Sequence, residues 1–230
     1  MYKHCRVIAF DADDTLWVNE IYFREAEKKF AELLSKYETQ NQIDQELFKL
    51  EIKNLKTYGY GIKGFTLSMI ECALKLSNYT ISQVVIDDLL KIGKDMVEKP
   101  VELFEGVENV LKKLHENYKL IVASKGDLLD QERKLEKSGL LKYFHYVQIM
   151  SNKKEIDYKK LISNLDIESS DFLMIGNSLK SDILPVIKVG ASAIHIPSNI
   201  TWAHEELSSK EFQDTPFKTV DHIKDILEFL

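Results

Sequence analysis

The sequence predicts an α/β protein, a parallel sheet covered by helices on both faces, with an all-helical block inserted after the first strand. Three observations lead there. From position 107 onward, short apolar β-branched runs alternate with helical patterns of about 10 residues. One further run of the same kind, Arg6–Phe10, stands alone near the N-terminus. Everything between these two regions reads as helix. The 230 residues, 44% hydrophobic and 30% charged, suit one full domain carrying a smaller insertion and exclude disorder or a disulfide-stapled scaffold.

Each element has its own signal. Arg6–Phe10 is a short apolar run that ends at Asp11, Ala12, Asp13, Asp14 and Thr15, a buried strand feeding an acidic loop. Helical spacing of apolar residues then predicts helices over Glu20–Tyr37, Gln42–Tyr58, Thr66–Leu76 and Ser82–Glu98, the last with Ser82 as N-cap. The glycine-dense stretch Tyr58–Phe65 predicts a loop, and Pro100 closes the block. The alternation follows: helix Val107–Asn117, strand Lys119–Ala123, helix Asp127–Ser138, strand Tyr146–Met150, helix Glu155–Leu165. Strand Phe172–Ile175, helix Ser181–Val189 and strand Ala191–Ile196 complete it. Residues 200–230 predict a loop and a terminal helix sealing the sheet, with no chemistry assigned there. The expected division is therefore 1–17 with 99–230 as the sheet core and 18–98 as the helical insertion.

Composition narrows the partners. With 31 basic and 37 acidic residues the net charge is −6, so nothing draws in nucleic acid or an anionic membrane surface. No apolar stretch approaches the roughly 18 residues of a membrane span, and the N-terminus lacks a signal sequence, which predicts a cytoplasmic protein. Cys5 and Cys72 have no CxxC spacing and read as two buried thiols. The six histidines show no metal-binding spacing.

In an open parallel sheet, ligands bind beyond the carboxyl ends of the strands. Those ends deliver Asp11 and Asp13, then Ser124 and Lys125, then Lys153 and Lys154, then Gly176, Asn177 and Ser178. Acids crowded at a strand end repel one another unless a cation sits between them. Magnesium suits the donors, since it takes one or two carboxylates and a carbonyl and leaves positions for water and phosphate. Asp182, just past the fourth strand, is a further candidate ligand. The competing reading makes Asp11, Asp13 and Asp14 a solvated loop with N-capping duty.

Phe10-Asp11-Ala12-Asp13-Asp14-Thr15-Leu16 resembles the first motif of the haloacid dehalogenase (HAD) superfamily, hhhhDxDxT, with Asp14 where many members have glycine. Ser124 resembles the second motif, Lys153 the third, and Gly176 to Asp182 the fourth, all in order on predicted strand ends. The chain departs from the pattern in two further places. No proline follows the lysine, which leaves Lys154 as a competitor to Lys153, and Asn177 stands where an aspartate is commoner.

The resemblance implies a Rossmann-like core with a helical C1 cap. It implies Asp11 as nucleophile forming an aspartyl-phosphate, and Asp13 as the acid and base serving the leaving alkoxide and the water. Ser124 would hold phosphoryl oxygens, and Lys153 with magnesium would neutralise charge. Asp11, Asp13, Asp182 and Asn177 are the implied metal set. Lys125 and Lys63 are candidate contacts to the substrate, Lys63 from the Gly-rich cap loop. The expected activity is a magnesium-dependent phosphatase acting on a small phosphate ester, a sugar phosphate or nucleoside monophosphate, as monomer or homodimer. Alternatives are a phosphomutase, a 2-haloacid dehalogenase and a non-catalytic binding module. An acid at position 13 favours phosphate esters, because a halide leaves without a proton.

Overall fold

The computed structural model describes residues 2, 4–208, 211–212 and 215–230. Six strands form one sheet: β1 Val7–Phe10, β2 Lys119–Lys125, β3 Tyr146–Met150, β4 Phe172–Gly176, β5 Ser192–His195 and β6 Lys218–Thr219. Their order is β3-β2-β1-β4-β5-β6, and every pair is parallel. Parallel strands buried on both faces should be apolar at every position, and β1, VIAF, is buried throughout. Its side chains split by the two-residue period. Ile8 and Phe10 join one core with Val107, Val110, Leu111 and Leu114, while Val7 and Ala9 join the opposite core with Tyr158, Leu161 and Ile162. The first set of partners comes from helix α5 (Val107–His115) and the second from α7 (Glu155–Asn164).

The chain divides into two compact units, residues 1–20, 101–125 and 131–230 in one, and 21–100 with 126–130 in the other. The helical unit is built on α1 (Glu20–Leu34), α2 (Gln40–Tyr58), α3 (Ile62–Leu76) and α4 (Gln83–Glu98). Ala26, Phe30, Ile43, Leu47, Phe65, Met69, Leu89 and Ile92 share its core, at the spacing that an amphipathic helix gives. Ser82 caps α4 as expected, its side chain accepting from the Val85 amide. Within the sheet unit, the chain segments leading to and from these helices run side by side, with Val18 N–H donating to Glu102 and Phe104 N–H to Leu16.

Four local expectations need correction. The loop expected over Tyr58–Phe65 is a turn of three residues, because α3 already begins at Ile62. Its glycines serve the turn itself, with Gly59 and Gly61 at φ +72° and +109°, and Gly64 lies so near Gly59 that a Cβ would sit 2.8 Å from the Gly59 carbonyl oxygen. The helix expected over Ser181–Val189 is a π-turn, Leu179–Ile183, followed by the short α8, Leu184–Lys188. The terminal helix is a 3-10 segment, Ile223–Glu228, and β6 precedes it unannounced. Helix α6 runs over Leu128–Ser138, one residue short of expectation.

Candidate active site

Strand register decides what meets at the sheet's carboxyl edge. Phe10 lies level with Val122 of β2 and Ile175 of β4, so Asp11 emerges between Ser124 on one side and Gly176–Asn177 on the other. This is where strand order reverses, since β2 and β3 lie to one side of β1 and β4 to β6 to the other. Asp11, Asp13, Ser124, Lys125, Lys153, Asn177 and Asp182 all line one cavity there.

Lys153 is its electrostatic centre. The ammonium, almost wholly buried, lies 2.5 Å from Asp11 Oδ1 and 2.6 Å from Asp182 Oδ1. Burial alone would pull its pKa down, but the two carboxylates hold it above the usual lysine value. One ammonium cannot neutralise two buried carboxylates. Burial accordingly pushes the Asp11 carboxyl upward, Asp182 and Asp13 adding to the rise and Lys153 opposing it. Lys154, the competing lysine, is exposed and starts α7, its amide donating to Asp157.

Asp182 reaches Lys153 because β4 ends in glycine. A Cβ at Gly176 would meet the Asp182 carboxyl at 2.4–2.5 Å. The π-turn carries Asp182 over the strand end, where Ser178 N–H donates to its Oδ2 at 2.9 Å. Asn177 Oδ1 accepts from the Thr15 hydroxyl at 3.1 Å, tying the fourth-strand loop to the first. Ser124, 1% exposed, has a buried hydroxyl with no hydrogen-bond partner among the described residues. A buried donor left unmade is costly, which marks a place for a ligand oxygen.

Asp13 lines the cavity with its carboxylate already engaged. Its carboxylate accepts from Lys134 Nζ, Gln131 Nε2 and Trp17 Nε1, each at 2.7 Å. Asp14 performs the capping duty weighed for the acidic loop, accepting from the amides of Asn19 and Glu20 at the start of α1. It does so from φ +58°, a left-handed conformation that glycine suits best and that aspartate tolerates. Burial raises its carboxyl to about 6. Lys63 lies in the helical unit, where its ammonium pairs with Asp127 at 3.0 Å.

Residues 200–230 do carry site residues, contrary to expectation. Ile200, Thr201, Trp202 and Glu205 all line the cavity. Glu205 accepts from Lys125 Nζ at 2.7 Å and from the Ser178 and Ser181 hydroxyls at 2.6 Å each. Despite its burial, these donors hold the carboxyl down at about 2. The one sequence signal available was an acid within reach of the fifth strand's carboxyl end.

Among the described residues no three His, Cys, Asp or Glu side chains gather as a ready metal cluster. The donor chemistry nevertheless fits a hard divalent cation. Asp11 and Asp182 converge within reach of one ammonium, carry an uncompensated charge, and offer oxygen alone.

A family model of haloacid dehalogenase-like hydrolases matches residues 5–190. The chain belongs to that family. A HAD-like family hydrolase of Xanthomonas campestris is 36% identical over 95% of this chain and 87% of its own, with a TM-score of 0.85. Two more distant structures share the fold. The HAD-hydrolase YfnB of Bacillus subtilis, bound to magnesium, is 14% identical over 98% of each chain with a TM-score of 0.69. A predicted phosphoglycolate phosphatase of Haemophilus somnus is 15% identical over 98% of each chain with a TM-score of 0.64. Solved HAD neighbours also include dehalogenases. No curated protein matches. The Rossmann-like α/β fold and hydrolase family expected from the motifs are thus both found.

Proposed function

We propose that this HAD hydrolase is a magnesium-dependent phosphatase of small phosphorylated metabolites, working through an aspartyl-phosphate on Asp11. The observation that carries the reading is the convergence of a buried carboxylate, a buried ammonium 2.5 Å away and an unpartnered buried hydroxyl at one strand edge. A carboxylate attacking a phosphoryl dianion needs charge compensation before anything else, and in phosphoryl transfer positioning and electrostatics supply nearly all of the catalysis.

Asp11 attacks phosphorus and the ester oxygen departs, splitting one displacement into two. Lys153 neutralises charge on the transferred group, and Ser124 Oγ donates to one of its oxygens. Asp13 gives a proton to the leaving alkoxide and then takes one from the water that releases phosphate. To do so its carboxyl must exchange Lys134, Gln131 and Trp17 for substrate. Asp11, the Asp13 carbonyl, Asp182 and Asn177 are the groups that would hold magnesium, which when bound supplies the positive charge Lys153 lacks. Residues 21–100 are assigned the cap role. An acid at position 13 favours this reading over dehalogenation.

The test is phosphate release from a panel of esters with and without magnesium, with Asp11→Asn as the blank. Magnesium-dependent release by the wild type alone is expected. Release that survives in Asp11→Asn, or halide release from 2-haloacids without phosphatase activity, would overturn it.

A further inference from the structure

We propose that Glu205 determines specificity by neutralising Lys125, so that the site selects phosphate esters of uncharged alcohols over esters whose leaving group carries a second anion. The inference rests on the phosphatase reading and deepens it.

Among the described residues two ammonium groups line the cavity, and each is committed. Lys153 serves Asp11 and Asp182, the charge that an incoming phosphoryl group meets. Among the described residues Lys125 is the one remaining ammonium in the lining, and so the group available to a carboxylate or second phosphate on the leaving group. Its charge is already taken. Glu205 lies 2.7 Å away, and both side chains are nearly buried, 13% and 12% exposed. Glu205 cannot easily turn aside, because Ser178 and Ser181 hold its second oxygen at 2.6 Å. Lys125 also donates to Ser181 Oγ at 3.0 Å, the hydroxyl that in turn donates to Glu205.

Recruiting Lys125 to a substrate anion would leave Glu205 charged and buried with only neutral hydroxyls as partners, which costs more than the new contact returns. An uncharged alcohol makes no such demand. Specificity here comes from a penalty on the wrong substrate rather than an attraction to the right one. Glu205 stands in the connection after β5, so the device belongs to the sheet unit alone.

The experiment measures kcat/KM, with magnesium, for glycerol 2-phosphate, a branched ester of an uncharged alcohol, and for phosphoglycolate, an unbranched ester whose leaving group carries a carboxylate. The wild type should prefer the uncharged alcohol's ester by about tenfold or more. Glu205→Gln, which keeps the hydroxyl partners but removes the charge, should shrink that ratio about tenfold, chiefly through KM for phosphoglycolate. Adding Lys125→Met to Glu205→Gln should remove the gain, and Lys125→Met alone should widen the wild-type ratio. A wild type that prefers phosphoglycolate overturns the proposal even if Glu205→Gln does not fold, and so does a ratio that Glu205→Gln leaves unchanged while glycerol 2-phosphate is still hydrolysed. In both cases the phosphatase reading survives. No hydrolysis of any ester overturns both.

Discussion

Residue by residue, the site is a problem of compensating charge at close range. Gly176 shows how far a single atom matters. Replacing it with alanine places a Cβ against the carboxyl of Asp182, which Lys153 and the Ser178 amide pin in place. Gly176→Ala should lose about 1–3 kcal/mol of stability, measured by urea denaturation, together with most of the turnover. A variant as stable and active as the wild type would mean that the π-turn yields freely. Asp13 makes a kinetic prediction. Asp13→Asn keeps the size of the side chain and loses the proton, so turnover of esters with poor leaving groups should fall about 100-fold or more while magnesium binding, followed by calorimetry, persists. A near-normal rate would remove Asp13 from proton transfer. The alternation of strand and loop made Asp11, Ser124, Lys153 and Asp182 legible from sequence, because a strand's end fixes where the next side chain emerges. The direction of the Asp13 carboxylate was not legible. It is set by Trp17 together with Gln131 and Lys134, the last two more than a hundred positions away, and no local pattern announces such distant partners.

At the scale of elements, boundaries follow caps and close approaches more than hydrophobic period. Helix α1 starts where the Asp14 carboxylate takes the amides of Asn19 and Glu20, and the acidic loop thereby serves both the site and the helix. Asp14→Ala removes the cap and leaves a Cβ residue at positive φ, which should cost about 1–2 kcal/mol. Asp14→Gly keeps the loop conformation and should cost less. Equal losses for the two, by thermal or urea unfolding, would show that the left-handed backbone carries no strain. Glycine density misled the reading of Tyr58–Phe65 because the residues that make a tight turn compact also look like a long one. The π-turn of Leu179–Ile183 was equally hidden, since one inserted residue changes a helix's register without changing its composition.

Across the whole molecule, the two faces of the sheet and the separate helical core were readable because burial obeys periods of two and of 3.6. The described part of the connection between β5 and β6 was not, since it is held by tertiary pairs, Glu205 with Lys125 above all, and follows no period. That pair also predicts how the fold responds to acid. The folded carboxyl of Glu205 lies at about 2, below its ordinary 4.5, so its contribution is present above pH 4.5 and is lost as pH falls toward 2. The stability gap between the wild type and Glu205→Gln should be at most about 3 kcal/mol at neutral pH and should close over that window. A gap independent of pH would mean that the stabilisation does not come from the carboxylate's charge.

Phosphatase chemistry at this site turns on a bond between phosphorus and Asp11. An acyl phosphate is reduced by borohydride and an ordinary carboxylate is not, so the enzyme is quenched during turnover of a good ester, reduced, digested and read by peptide mass spectrometry. Homoserine in place of Asp11 is expected, dependent on both ester and magnesium. Turnover with Asp11 unmodified, or the label on another residue, would contradict it.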